Sequence, residues 1–233
     1  NTLSIVRGAN PTTGVGGITV GAVTLTGGAI FDVQSNALLT TGAISGANAL
    51  TKTGAGQLTN NNASSFNGIV TLGGGTFSTN SLAAGGASSG IGASSNAVGN
   101  LVLDGGGLQY TGAVIATDRL FTLTNNGGTL DASGAANAAL TFSNAGAMGL
   151  SGTGARTLTL TGASTGNNLL LAIIGDGTGG ATSIAKTGAG RWILGGTNAF
   201  TGGISVAGGN LALTTASSNS GFANAVTLSG GSL

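Results

Sequence analysis

The chain has 233 residues, among them 48 glycines, one proline, no cysteine and no histidine, and its charges nearly cancel at a formal +1. A hydrophobic share of 40% with a mean hydropathy of +0.40 separates it from disordered chains, which pair low hydropathy with high charge. Six Lys plus Arg cannot neutralise a run of phosphates, which excludes a nucleic-acid partner, and the longest apolar run, Leu169 to Ile174, falls far short of the ~18 residues of a membrane helix.

The first residues, NTLSIVRG, already alternate as a strand, so any targeting segment is expected outside this sequence. From there one module recurs: an alternating strand, a Gly-Gly corner and a second strand. It appears as VTLTGGAIFDV, IVTLGGGTFST, LVLDGGGLQYT, FTLTNNGGTLDA, ISVAGGNLAL and VTLSGGSL. Alternation of Val, Ile and Leu with Thr, Ser and Asn is the period-two signature of strands with one buried face. The first apolar residues after these corners, Ile30, Phe77, Leu108, Leu130, Leu211 and Leu233, are expected at equivalent places in successive coils of roughly 20 to 24 residues.

The segment KTGAGQLTNNNASSFNGIVTLGGGTFST (residues 52–79) returns as KTGAGRWILGGTNAFTGGISVAGGNLAL (186–213), with Lys52 matching Lys186, Phe66 matching Phe200 and Gly68 matching Gly202, all at an offset of 134. Between the copies, Asn80 to Asn100 is rich in small residues and is expected to be a loop inserted in one coil. The stretch TTASSNSGFANAVTLSGGSL is its shortened counterpart. The Ala-rich segment Gly134 to Gly149 is interrupted by glycine and asparagine and predicts another coil, not a helix.

Short strands, Gly-rich corners and a repeat of twenty-odd residues predict an all-β fold, a right-handed parallel β-helix of roughly ten coils forming one repeat domain over 1–233. The scarcity of charge follows from this fold. Equivalent side chains stack ~4.8 Å apart, where like charges repel by roughly 0.9 kcal/mol even in water. Asparagine pairs such as Asn125-Asn126 and Asn167-Asn168 are expected to form ladders across coils. The main competitor, a two-sheet sandwich, would not require one repeated corner.

The residues Lys186, Gly188, Gly190, Trp192, Leu194, Gly195, Asn198, Phe200, Thr201, Gly202, Gly203, Val206, Gly208, Gly209 and Leu211 make the second copy resemble the autotransporter-associated β-strand repeats of bacterial surface proteins. The earlier copy departs from that pattern at Leu58, in place of Trp192, and at Asn60-Asn61-Asn62. The resemblance implies an exported chain displayed at the bacterial cell surface or outside the cell, and the lack of cysteine suits export in an unfolded state.

No catalytic, cofactor or metal site is expected. In KTGAG the lysine precedes the glycines, the reverse of a phosphate-binding loop. IIGDGTGG (173–180) offers one carboxylate where a calcium turn stacks several, and reads as a surface turn. Asp118-Arg119 reads as a solvated corner pair. Asp104, Asp118 and Asp131 are the acids available to a glycan-cleaving reading, but Asp104 precedes its corner and Asp131 follows its own, which separates them. Trp192, Phe66 and Phe200 read as core aromatics, the last two as a buried stack, in preference to a ligand platform.

The expected function is structural: a rod acting in surface display, adhesion or matrix formation, with a glycan-binding or glycan-cleaving module as the alternative. Both ends of the sequence fall in mid-coil, and joining TLSGGSL to NTLSIV continues the module, so end-to-end self-association or a tandem array is expected, with cell-surface or glycan contacts as further partners.

Overall fold

A computed structural model describes residues 1–6, 15–214 and 225–233. The chain is an all-β solenoid of about nine turns. Every ladder between its named strands is parallel, and the strands gather into sheets of ten, seven, five and two. A 3-10 turn, Val98–Asn100, is the one helical element among the described residues.

The ten-stranded sheet runs from Gly16–Val20 to Val226–Leu228 and receives a strand from each turn. Its inward positions form one unbroken ladder: Ile18, Leu39, Leu58, Phe77, Leu108, Leu130, Leu160, Lys186, Val206 and Leu228. The seven-stranded sheet, from Thr2–Ile5 to Gly149–Ser151, carries the parallel ladder Leu3, Phe31, Lys52, Leu72, Leu103, Leu123 and Leu150. The third side begins as the pair Val23–Leu25 and Ile44–Gly46 and, further along, becomes the five strands from Ile115–Thr117 to Asn210–Leu213. Away from the terminal rungs, where Leu3, Ile18 and Leu228 are exposed, the apolar inward residues of all sides form one core, in which Phe121 and Phe142 meet edge to face at 5.9 Å between ring centres.

Three expectations need correction. The post-corner residues are not all equivalent. Phe77, Leu108 and Leu130 are consecutive rungs of the long sheet, but Ile30 lies in the seven-stranded sheet with its side chain outward, and Leu211 pairs with Trp192 in the five-stranded one. The reason is that the strand-corner-strand module occupies two sides of a three-sided turn, so it can begin on any side. Turns also vary in length, from 19 residues between Leu39 and Leu58 to 31 between Phe77 and Leu108, because the segments joining their strands differ in length.

The asparagines bridge coils, but not as ladders of like residues. Asn168 is fully buried, accepts from Leu140 N and donates to Ser164 O and Arg191 O; Asn126 donates to the Asp104 carboxylate. Buried amide groups go where backbone groups lack partners. Phe66 and Phe200 are both buried, as expected, yet they do not form a common stack. Ala93 N bonds Phe66 O on the third side, whereas Ala199 N bonds Ile174 O in a segment that continues the seven-stranded side.

Asn80 to Asn100 joins the strands Thr76–Thr79 and Leu101–Leu103 and completes the third side of its turn, with Leu82 and Ile91 buried. The shortened counterpart after Leu213 lies largely outside the described residues.

Candidate functional site

The two KTGAG corners hold the same arrangement on different sheets. Lys52 sits in the seven-stranded sheet and Lys186 in the ten-stranded one, both fully buried. Lys52 Nζ donates to Thr53 O, Gly54 O and Gly74 O at 2.6, 2.9 and 3.1 Å. Lys186 Nζ donates to Thr187 O, Gly188 O and Gly208 O at 2.5, 2.9 and 3.0 Å. An ammonium has three donors and no acceptor, so each is saturated by carbonyls of its own corner and of the next. The glycines are required by that geometry: Gly54 and Gly188 have φ of 73° and 65°, and a Cβ on Gly54 would stand 2.3 Å from Val33 O. Burial pulls the Lys52 ammonium down to about 8 against the opposing pull of Asp32, and burial likewise lowers Lys186. KTGAG is a corner latch and not a phosphate loop.

The arginines repeat the theme. Arg156, buried, donates to Leu123 O, Ser151 O, Gly152 O and Gly154 O. Arg119 donates to Ala83 O, Ala87 O, Gly92 O and Ser94 Oγ, which ties residues 80–100 to the following turn. The solvated pair expected at Asp118-Arg119 is therefore corrected: the guanidinium is buried, because residues 80–100 fold over it. Asp118 caps the same segment from outside, accepting from Gly85 N and Asn96 Nδ2. Beyond the repetition of KTGAG, no pattern of residues signals these buried cations.

The acids are dispersed. Asp104 follows a strand of the seven-stranded sheet, Asp118 follows a strand of the five-stranded one, and Asp131 faces outward from the ten-stranded one. Each is occupied within the chain, Asp104 by Thr124 and Asn126, Asp131 by Gln109 and Ser133. Asp176, in the IIGDGTGG turn, accepts from Thr182 N and from Thr201 N and Oγ1. Among the described residues no three His, Cys, Asp or Glu side chains gather to hold a metal ion, and no helix is long and apolar enough to cross a membrane. Trp192 is fully buried and donates from Nε1 to Thr161 O at 2.8 Å, which removes it from any ligand platform.

The outer face of the ten-stranded sheet also lies on the surface. Along it run three adjoining depressions that share Thr76, Gly105 and Thr129 and so form one groove parallel to the solenoid axis. Its floor follows the register Leu38, Gln57, Thr76, Gly107, Thr129 and Thr159. One wall is a hydrogen-bonded chain across three rungs, Ser78 Oγ to Gln109 Oε1 and Gln109 Nε2 to Asp131 Oδ2, each at 2.9 Å.

Residues 184–213 match the passenger-associated-transport-repeat family. They take in strands of the ten- and five-stranded sheets in two successive turns, and the earlier copy is the same unit begun one side earlier. The chain is built of autotransporter passenger repeats. Over 178 residues, 76% of its length, it is 41% identical to the adhesin BmaC autotransporter of Brucella suis biovar 1 (strain 1330), and it spans 5% of the length of that relative. No solved structure gives a significant match.

Proposed function

We propose that this chain is an extracellular, adhesin-like segment of a passenger: one repeat domain over 1–233 that works as a stiff rod and presents its outer faces to other surfaces. The similarity to an autotransporter adhesin over three quarters of the chain is the observation that carries this reading. The interior supports it. Cations that a catalytic site would aim at a substrate are spent on corner carbonyls, and the acids lie on separate sides of the turn. A non-enzymatic role follows, with localisation at the bacterial cell surface or beyond it.

The same reading includes the stacking of further units on the rod. Among the described residues, the outermost strands of the long sheet, Gly16–Val20 and Val226–Leu228, each pair on one side, and a parallel ladder accepts another strand at such an edge. Adhesion is tested by coating beads with the purified chain and counting those retained on cultured epithelial cells and on bacteria. Retention above beads coated with an unrelated solenoid is expected. Equal retention overturns the adhesin reading. Sedimentation of the same preparation tests stacking, for which species longer than one chain are expected.

A further inference from the structure

The geometry points to the groove on the ten-stranded sheet as a binding site for an extended, neutral polysaccharide chain lying along the solenoid axis; this inference rests on the adhesin reading and gives it a ligand. The groove is lined on seven successive strands, from the one bearing Leu38 to the one bearing Ser183, which at ~4.8 Å per strand is a track of roughly 29 Å. Its length suits a polymer, and its shallow section suits a single chain.

The side chains lining it narrow the chemistry. The hydroxyls of Thr76, Thr129, Thr157, Thr159 and Ser183 make no hydrogen bond within the described residues, although each can both donate and accept. Sugar hydroxyls have the same dual character. Gly107 stands in the middle of the floor, between Thr76 and Thr129 in register; it is buried, and a Cβ there would stand 3.0 Å from the Thr129 Cβ, so Thr129 closes over this rung and the groove presents the Thr76 and Thr129 hydroxyls there. The Ser78, Gln109 and Asp131 chain fixes one wall before anything binds, which lowers the ordering cost of association.

Other partners fit poorly. A polyanion needs exposed cations, but Arg156, the basic residue of the groove, is buried and committed to four carbonyls, while Asp131 would repel it. A peptide added as a strand needs a sheet edge, and the groove lies on a face. A folded protein is held by aromatic and arginine anchors, which this lining does not offer.

The experiment is affinity electrophoresis of the full 233-residue chain through gels cast with a neutral glucan, a neutral galactan, a neutral mannan or, as the charged comparison, dextran sulfate. The variant Thr129→Arg fills the groove from an outward, half-buried position, and Trp192 emission reports whether it remains folded. A second variant, Thr159→Arg, repeats the test one rung away. Retardation by at least one neutral polysaccharide, weakened at least tenfold in both folded variants, is expected. Retardation by dextran sulfate alone, by no polymer, or equally in wild type and folded variants overturns the assignment. Bead adhesion measured with the same variants separates the two proposals: cell retention that survives Thr129→Arg leaves the adhesin reading standing and removes the groove, whereas loss of all retention in the wild type removes the adhesin reading first.

Discussion

Lys52 and Lys186 occupy the same local structure on two different sheets, each donating to the carbonyls one, two and twenty-two residues ahead of it. The latch belongs to the corner and not to a particular side of the solenoid. Removing the ammonium leaves three carbonyls without their donor. Replacing Lys186 by Met, which keeps the apolar stem, is expected to cost about 3 kcal/mol, because buried groups left unpaired cost ~1 to 3 kcal/mol each and partial relaxation recovers some of it. Urea unfolding followed by Trp192 emission reads this directly, since Trp192 pairs with the adjoining strands and is fully buried. A midpoint unchanged by Lys186→Met removes the latch as a stabilising element.

The corner glycines give a sharper contrast. Gly188 has φ of 65° and a Cβ there would stand 2.7 Å from Gly162 O, whereas a Cβ on Gly28 meets nothing within 4 Å and its φ is ordinary. Gly188→Ala is expected to destabilise by about 2 kcal/mol through strain and close contact, and Gly28→Ala to be neutral or slightly stabilising by reducing the freedom of the unfolded chain. Equal effects of the two substitutions in thermal melts contradict the geometry of the corner.

These two sites also show what sequence reasoning could and could not reach. The period-two strands, the glycine corners and the offset between Lys52 and Lys186 are all visible, because strand alternation and positive φ restrict residue type at single positions. The side of the solenoid on which each module lies is not visible. Leu58 and Trp192 align perfectly in sequence yet belong to the ten- and five-stranded sheets, since a two-sided module in a three-sided turn carries no label for its phase. Burial of the cations was equally hidden. A lysine beside a glycine corner reads as surface until the carbonyls of the next turn are placed around it, and Arg119 acquires its partners from a segment more than twenty residues away.

Arg119 holds the segment Asn80 to Asn100 through Ala83 O, Ala87 O, Gly92 O and Ser94 Oγ. Arg119→Met is expected to loosen that segment while leaving the ladders on either side intact, because in repeat architectures each turn is stabilised by its neighbours. Limited proteolysis should then cut within residues 83–97 at least tenfold faster than in the wild type, with an unchanged β-sheet circular dichroism signal. Cutting that is no faster, or that spreads evenly over the chain, argues against a local clamp.

Stability should rise with pH in two separate windows. For Asp118, hydrogen bonds from Gly85 N and Asn96 outweigh burial and lower the carboxyl below its ordinary value; for Asp176, burial raises it, but hydrogen bonds from Thr182 and Thr201 together prevail and lower it. A group depressed in the folded state contributes stability above its unfolded value, near 3.9 for Asp, and loses that contribution as pH falls through the folded value. The melting temperature is therefore expected to be level from pH 7 to about 4 and to fall below it. Lys52 acts with the same sign in the alkaline window, although its burial costs stability at neutral pH. Its folded value near 8, lowered by burial, lies beneath the unfolded value near 10.5, so between these limits the unfolded chain binds more protons and stability rises with pH. Melts at pH 7.5, 9 and 10 should show that rise in the wild type and a smaller one in Lys52→Met. A wild-type curve that falls across this range would mean that the three carbonyls hold the Lys52 ammonium more tightly than burial opposes it.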